Sequence, residues 1–163
     1  MAEARYRGEV VKLDRGYPLV CLEDGELLRC EHATALVKGE RRRAVIGDVV
    51  EVAVPPAHDK GVIEAIAPRA REFVRKDPTE RAVPQVLAAN FERVIVAQPV
   101  GEVNLRRLER ELVLAFETGA EVTVVLTKAD LADDAATRAT VEAVRALAAP
   151  AADVLVVSED DPA

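Results

Sequence analysis

A chain of 163 residues that is 50% hydrophobic and 31% charged, with 8 Gly and 9 Pro, has the composition of one folded domain or two small ones and excludes a disordered or fibrous chain. No apolar run reaches the ~20 residues of a bilayer-spanning helix. The opening MAEARYRGEV has no apolar signal-peptide core, so the expected location is the cytoplasm, with no membrane partner. Two cysteines are too few for a disulfide framework or a four-ligand zinc site. The net charge of −7 is uneven: residues 1–78 carry 14 basic and 14 acidic side chains, so the whole excess lies in 79–163. The neutral part holds the densest basic run, KGERRR, with Lys38, Arg41, Arg42 and Arg43. Such a split predicts two units with different partners.

In chain order, residues 6–13 read as a strand. After Gly16, Tyr17 and Pro18, strands over 19–22 and 26–31 flank Glu23-Asp24-Gly25. Asp-Gly between apolar runs is a hairpin signal, because a type I′ turn needs positive φ at both central residues. With Asp24 and Gly25 as the two loop residues, Cys21 faces Leu28, and Leu19, Cys21, Leu28 and Cys30 share one apolar face. Both cysteines are then buried thiols, diagonal to each other. Residues 32–38 allow one short helix. Gly47-Asp48 opens a strand over 49–54, and Gly61 leads into another over 62–66. Five short strands in a row predict a small closed β-barrel, an OB-fold first and an SH3-like barrel as the competitor. The expected barrel covers residues 1–67.

Residues 68–90, with Pro68, Pro78 and Pro84 and little periodicity, read as a linker. From 91 to 163 the pattern alternates strand and helix. A strand over 93–98 is followed by a helix N-capped by Asn104, with Leu105, Leu108, Leu112, Ala115 and Phe116 on one stripe, closing at Gly119. The unbroken apolar run over 122–126 predicts a parallel strand covered on both faces. A second helix over about 134–147 and a third strand over 153–157 complete a βαβαβ half of a doubly wound sheet.

Ligands of such sheets bind at the carboxyl ends of the strands. There the sequence places Thr127-Lys128-Ala129-Asp130. A carboxylate held at that point can accept from the ring N–H and the exocyclic amine of guanine, and is left unpaired by adenine. The lysine stem can cover the base while its ammonium stays wet. The plainer reading makes Asp130 the N-cap of the next helix beside a surface lysine. No G-x-x-x-x-G-K-[ST] phosphate loop occurs in the 163 residues, so either the four residues coincide by chance or the motif order is permuted and that loop lies beyond Ala163. His32 and His58 stand alone and read as exposed or capping side chains. Residues 38–43 can contact RNA phosphates or form a solvated run. With only Tyr6 and Tyr17 as barrel aromatics, backbone or shape readout of folded RNA is favoured over base stacking.

The chain resembles the circularly permuted ribosome-assembly GTPases of the RsgA family. The resemblance rests on RYRGEVV, DGELLRC, GDVVEV and GVIEAIAPR in the first part, then on QVLAANFERVIVAQPV, NLRRLERELVLAFETGAEVTVVLTKADL and DVLVVSEDD. It covers essentially the whole chain in order. It implies an OB-fold barrel joined to an incomplete, permuted P-loop GTPase-like α/β half. It also implies GTP or GDP with magnesium as ligands of the whole protein, and a zinc site only in a C-terminal segment outside this sequence. The implied partner is the small ribosomal subunit and its rRNA, in late 30S maturation. Thr127, Lys128, Ala129 and Asp130 match the guanine-specificity motif, with Thr127 where the family has Asn, and Val157-Ser158-Glu159 falls at the second base-contacting loop, giving Ser158 a nucleotide contact. Lys38, Arg41, Arg42 and Arg43 are the expected RNA contacts. No catalytic residue is expected in this chain, which alone is not expected to hydrolyse GTP and can self-associate through its incomplete sheet. The alternative is a non-enzymatic RNA-binding barrel with an α/β scaffold.

Overall fold

The computed structural model describes residues 4–14, 16–39, 42–56, 58–75 and 85–159. The first five strands are β1 (Ala4–Asp14), β2 (Tyr17–Leu22), β3 (Leu27–His32), β4 (Val49–Val54) and β5 (Gly61–Ile66). They close into a barrel of order β1-β2-β3-β5-β4, with β3 and β5 parallel and the other neighbours antiparallel. The eleven-residue β1 is long enough to pair with both β2 and β4, which closes the ring. This strand order is that of the OB-fold and settles the choice against an SH3-like barrel. Alternate residues point inward, so Val10, Val20, Leu22, Cys30, Val50, Val52, Ile63 and Ile66 form one core. Leu36, 1% exposed on the short π-helical turn Ala35–Gly39, joins that core.

The β2–β3 hairpin differs from its sequence reading by one residue. Its register pairs Leu19 with Arg29, Val20 with Leu28 and Cys21 with Leu27. The loop is therefore the three residues 23–25, closed by the Gly25 N–H donating to the Leu22 carbonyl at 2.9 Å. Only Gly25 takes a positive φ, 88°, while the Asp24 carboxylate accepts from the Glu26 N–H at 3.0 Å. A turn followed by one left-handed glycine is the usual three-residue hairpin. A one-residue slip reverses the faces. Cys30 stays inside, but Cys21 turns outward and is half-buried, in place of the shared face expected for the two thiols. Burial pushes the Cys30 thiol up to about 11.

The described parts of 68–90, expected as a linker, hold a two-stranded antiparallel ribbon, β6 (Glu72–Arg75) with β7 (Gln85–Ala89). The ribbon is bonded to the barrel: the Ala89 N–H donates to the Ile46 carbonyl at 2.9 Å, and the Asn90 side-chain amide to the Gly47 carbonyl at 2.8 Å. Gly47 has φ 85°, and a Cβ on it would run into the Ala89 carbonyl, so only glycine lets the ribbon approach. Arg69 seals the contact with two bonds to Asp48, 2.7 and 2.8 Å, both side chains almost fully buried. Neither short strand buries a continuous apolar face, so the sequence carries no periodic signal for the ribbon.

The chain divides into two compact units, Met1–Phe91 and Glu92–Ala163. The second contains β8 (Arg93–Pro99), α1 (Leu105–Phe116), β9 (Glu121–Thr127), α2 (Asp134–Ala148) and β10 (Asp153–Val156). The sheet is parallel, of order β10-β9-β8. The Asn104 side chain caps α1 through the Arg107 N–H at 3.1 Å. Leu108, Leu112 and Ala115 of the expected stripe are buried, whereas Leu105 and Phe116, in the first and last turns, are 43% and 38% exposed. Both helices pack on the face carrying Val94, Val96, Val122, Val124, Leu126 and Val154. The expectation of cover on both faces holds for the central strand over 122–124 and fails for the flanking strands. The opposite face carries no helix of this unit among the described residues: Thr123 and Val125 on the central strand are buried and half-buried, but Ile95 and Leu155 on the flanking strands are 62% and 53% exposed. Steps β8 to β9 to β10 run in one direction, and crossovers of one hand then place both helices on one side. No helix of the described residues is long and apolar enough to cross a membrane.

Candidate functional site

Two constellations carry the residues singled out by the sequence, one in each unit. In the second unit β9 ends on Thr127, and Lys128 adopts a left-handed backbone, φ 57°. That conformation is uncommon for a residue with a Cβ and marks a turn held by its surroundings. It swings the chain into the single 3-10 turn Ala129–Leu131. Helix α2 is capped by Asp133, whose carboxylate accepts from the N–H groups of Ala135 and Ala136, each at 2.9 Å. Asp130 is therefore not the helix cap, and the plainer reading of the motif fails.

Parallel pairing of Val156 with Leu126 brings the ends of β9 and β10 to one edge of the sheet. Three bonds then join the loops that leave them. The Val157 N–H donates to the Leu126 carbonyl at 2.9 Å, the Ala129 N–H to the Val157 carbonyl at 3.3 Å, and the Glu159 N–H to Asp130 Oδ1 at 3.3 Å. Thr127, Ala129 and Ser158 are half-buried, while Lys128 and Asp130 are exposed. Asp130, expected as a carboxylate held at the end of the strand, stands on the 3-10 turn that follows it. It is anchored by the Glu159 N–H but open to solvent. An anchored carboxylate with its second oxygen free among the described residues can accept from a planar donor pair. All five sequence-predicted nucleotide residues thus lie on these two joined loops.

In the first unit, Lys38 sits exposed on the π-helical turn, Arg42 is half-buried and Arg43 exposed, while Arg41 lies outside the described residues. Arg42 and Arg43 line a cleft of about 560 Å³ whose opposite wall is Gln85, Val86 and Leu87 of β7. Residues 42–48 are irregular, yet their main chain is pinned. The Arg42 N–H donates to the Leu36 carbonyl (3.0 Å), the Val45 N–H to Asp48 Oδ2 (2.8 Å), and the Gly47 N–H to the Val10 carbonyl (2.8 Å). The Arg43 carbonyl accepts from the Arg69 guanidinium at 3.3 Å. Hydrogen bonding to Asp48 raises the Arg69 pKa above its usual value, with burial opposing it.

Sequence reasoning missed Asp48, Arg69, His32 and Asn90 as the residues that shape this turn. Apart from the Asp48–Val45 bond, three residues apart, their partners in this turn lie 12 to 43 positions away in the chain, and no local spacing announces them. His32, read as an exposed or capping side chain, is half-buried and accepts from the Ala44 N–H at 2.9 Å. No cluster of three or more His, Cys, Asp or Glu able to hold a metal ion occurs among the described residues. The described residues thus form no ligand set for the magnesium or zinc implied by the resemblance.

Comparison with known proteins agrees with this layout. Over 160 residues, 98% of this chain, it is 39% identical to the small ribosomal subunit biogenesis GTPase RsgA of Streptomyces avermitilis and to that of Streptomyces coelicolor. The chain spans 42% and 43% of the lengths of those relatives. Among solved structures it is similar to YjeQ from Thermotoga maritima, with a TM-score of 0.72 and 25% identity over 95% of this chain and 52% of that one. YloQ, a circularly permuted GTPase, shares the fold with a TM-score of 0.69 at 20% identity, over 97% of this chain and 53% of that one. The profile of the RsgA GTPase family matches residues 66–162, and the chain belongs to that family.

Proposed function

We propose that this chain is the front part of a cytoplasmic GTPase that assists late maturation of the small ribosomal subunit. In this reading the barrel docks on ribosomal RNA through Lys38, Arg41, Arg42 and Arg43. The 127–130 and 157–159 loops read guanine. The carrying observation is the Glu159 N–H bond to Asp130 Oδ1. It orients the carboxylate at the end of a parallel strand, where guanine's ring N–H and amine can both donate to it, and where adenine has no matching pair. Lys128 supplies the stem beside the base, Ser158 a contact from the second loop, and Thr127 a hydroxyl in place of the family's Asn amide. GTP, GDP and magnesium belong to the whole protein. With no G-x-x-x-x-G-K-[ST] loop in its 163 residues, the chain by itself does not hydrolyse GTP and holds nucleotide weakly.

Nucleotide choice is testable on the chain as it stands, by following backbone amide resonances during titration with GDP, ADP and xanthosine diphosphate. GDP shifts the amides of Lys128, Asp130 and Glu159, and ADP leaves them unmoved. Asp130→Asn replaces an acceptor by a donor, weakens GDP at least ~10-fold for a loss of ~1.4 kcal/mol and favours the xanthine nucleotide, whose carbonyl suits the new amide. Equal responses to GDP and ADP would remove the base-reading role.

The RNA reading is tested by reversing charge at Arg41, Arg42 and Arg43 and measuring binding to small subunits against salt. Each phosphate that is no longer neutralised lowers the log–log slope by about 0.9 on duplex backbone and about 0.7 on single strands. An unchanged slope moves the RNA surface elsewhere. A non-enzymatic RNA-binding barrel with an α/β scaffold is the second reading. It is favoured by the pinned cationic turn, whose bonds named above all come from residues of the first unit. A chain that keeps the salt-dependent binding and gives no GDP response fits that reading.

A further inference from the structure

Within the pinned turn, the Ala44 N–H stands apart because its acceptor is an imidazole nitrogen rather than a carbonyl or carboxylate. The residue is 3% exposed, so the amide cannot turn to water, and without His32 it would be a buried donor with no partner. Accepting at Nε2 requires a neutral ring with its proton on Nδ1. An imidazolium has two donors and no acceptor, and would set one N–H against another. We propose that His32 is the positioning residue of the cationic turn: its neutral ring fixes Ala44, and with it the course of the chain that presents Arg42 and Arg43, and protonation releases that turn. The inference rests on the reading of Arg42 and Arg43 as phosphate contacts.

The charged groups on the surrounding elements favour the neutral ring. Arg42 and Arg43 lie on the turn itself, and Lys38 on the π-helical turn before it. Glu31, next to His32 on β3, is paired with Lys60 at 3.4 Å, and Glu64 on β5 with Arg5 at 3.2 Å. No carboxylate bonds to the ring among the described residues. Burial lowers the His32 pKa below 6.5, and the Arg43 charge adds to the effect. A depressed folded-state pKa means that the hold is complete above about pH 6.5 and is lost as pH falls through the folded value.

The test follows the hydrogen-exchange protection factor of the Ala44 amide in the whole chain, beside the ring titration of His32, from about pH 7.5 to about pH 5. In the wild type, protection falls at least ~10-fold across the range, with the midpoint of the ring titration. His32→Gln, whose carboxamide oxygen accepts at similar reach without titrating, keeps protection at both ends of the range. His32→Ala loses it at both. With a hairpin RNA duplex at about pH 7.5, wild type and His32→Gln bind alike and His32→Ala binds several-fold more weakly. Equal Ala44 protection at both ends of the range in the wild type, or a pH step surviving in His32→Gln, overturns the proposal. If the Ala44 step is found but charge reversal at Arg42 and Arg43 leaves RNA binding unchanged, the phosphate reading fails while His32 remains the latch of the turn.

Discussion

The two units solve the same problem, hiding apolar strand faces, in different ways. The barrel turns its inner faces on each other, with Val10, Val20, Val50, Val52 and Ile63 at 0–1% exposure, and closes the ring through β1 and β4. The three-stranded sheet has helices on one face only and shows Ile95 and Leu155 on the other. Closure removes both open edges and open faces, whereas an open parallel sheet keeps two edges and needs two layers of cover. The first unit is therefore self-contained, and the second has surface to offer. The sites follow the same division. The cationic turn is held by bonds from three directions, while the 127–130 loop is joined chiefly to its neighbour, the 157–159 loop.

The largest expected effect breaks the barrel side of this contrast. Arg69→Ala leaves Asp48 buried with no counter-charge and should cost about 3–5 kcal/mol. It is read as a fall in the denaturant midpoint of the piece 1–91, and the piece 1–70, which lacks the ribbon and Asn90, should be less stable than 1–91. Equal midpoints for the two pieces would mean that the ribbon is an ornament on a finished barrel. On the sheet side, Ile95→Lys with Leu155→Lys charges the open face at exposed positions, where stability should move by no more than about 0.5 kcal/mol. Sedimentation of the wild-type chain should show concentration-dependent association that the double variant loses. Association that persists in the variant would point to the strand edges.

The smallest effect separates the two thiols of the barrel. With its pKa at about 11, Cys30 is about one-thousandth thiolate at pH 8 and is buried as well. A thiol reagent should modify Cys21 of the native protein first and reach Cys30 only on unfolding. Equal rates would return Cys21 to the inner face and restore the two-residue loop. The acid limb of stability sharpens the second unit. The Glu111 carboxyl is held below its usual value: burial raises it, but hydrogen bonds from Arg107 and Gln98 and the nearby arginine charges outweigh that. The contribution is present above about pH 4.5 and fades as pH falls below it, which Glu111→Gln should flatten in a pH series of melts.

Much of this was legible in the sequence, and the reason is locality. Strand alternation, the Asn104 cap, the unbroken run of β9 and the helix at 134 depend on residues a few positions apart, so the pattern states them directly. The Thr127-Lys128-Ala129-Asp130 motif is also contiguous, and the strand before it predicted its place at the sheet's carboxyl edge. What tertiary structure alone decided is a strand register, the side on which the helices pack, and pairings between distant residues. A single unpredicted turn residue shifted the hairpin and turned Cys21 outward. The direction of two crossovers left one sheet face without a helix. Pairings of Asp48 with Arg69, Gly47 with Asn90 and His32 with Ala44 made a ribbon and a shaped turn out of residues that read as linker and loop. Each joins groups far apart in the chain, and a buried donor or charge takes whichever partner the fold supplies.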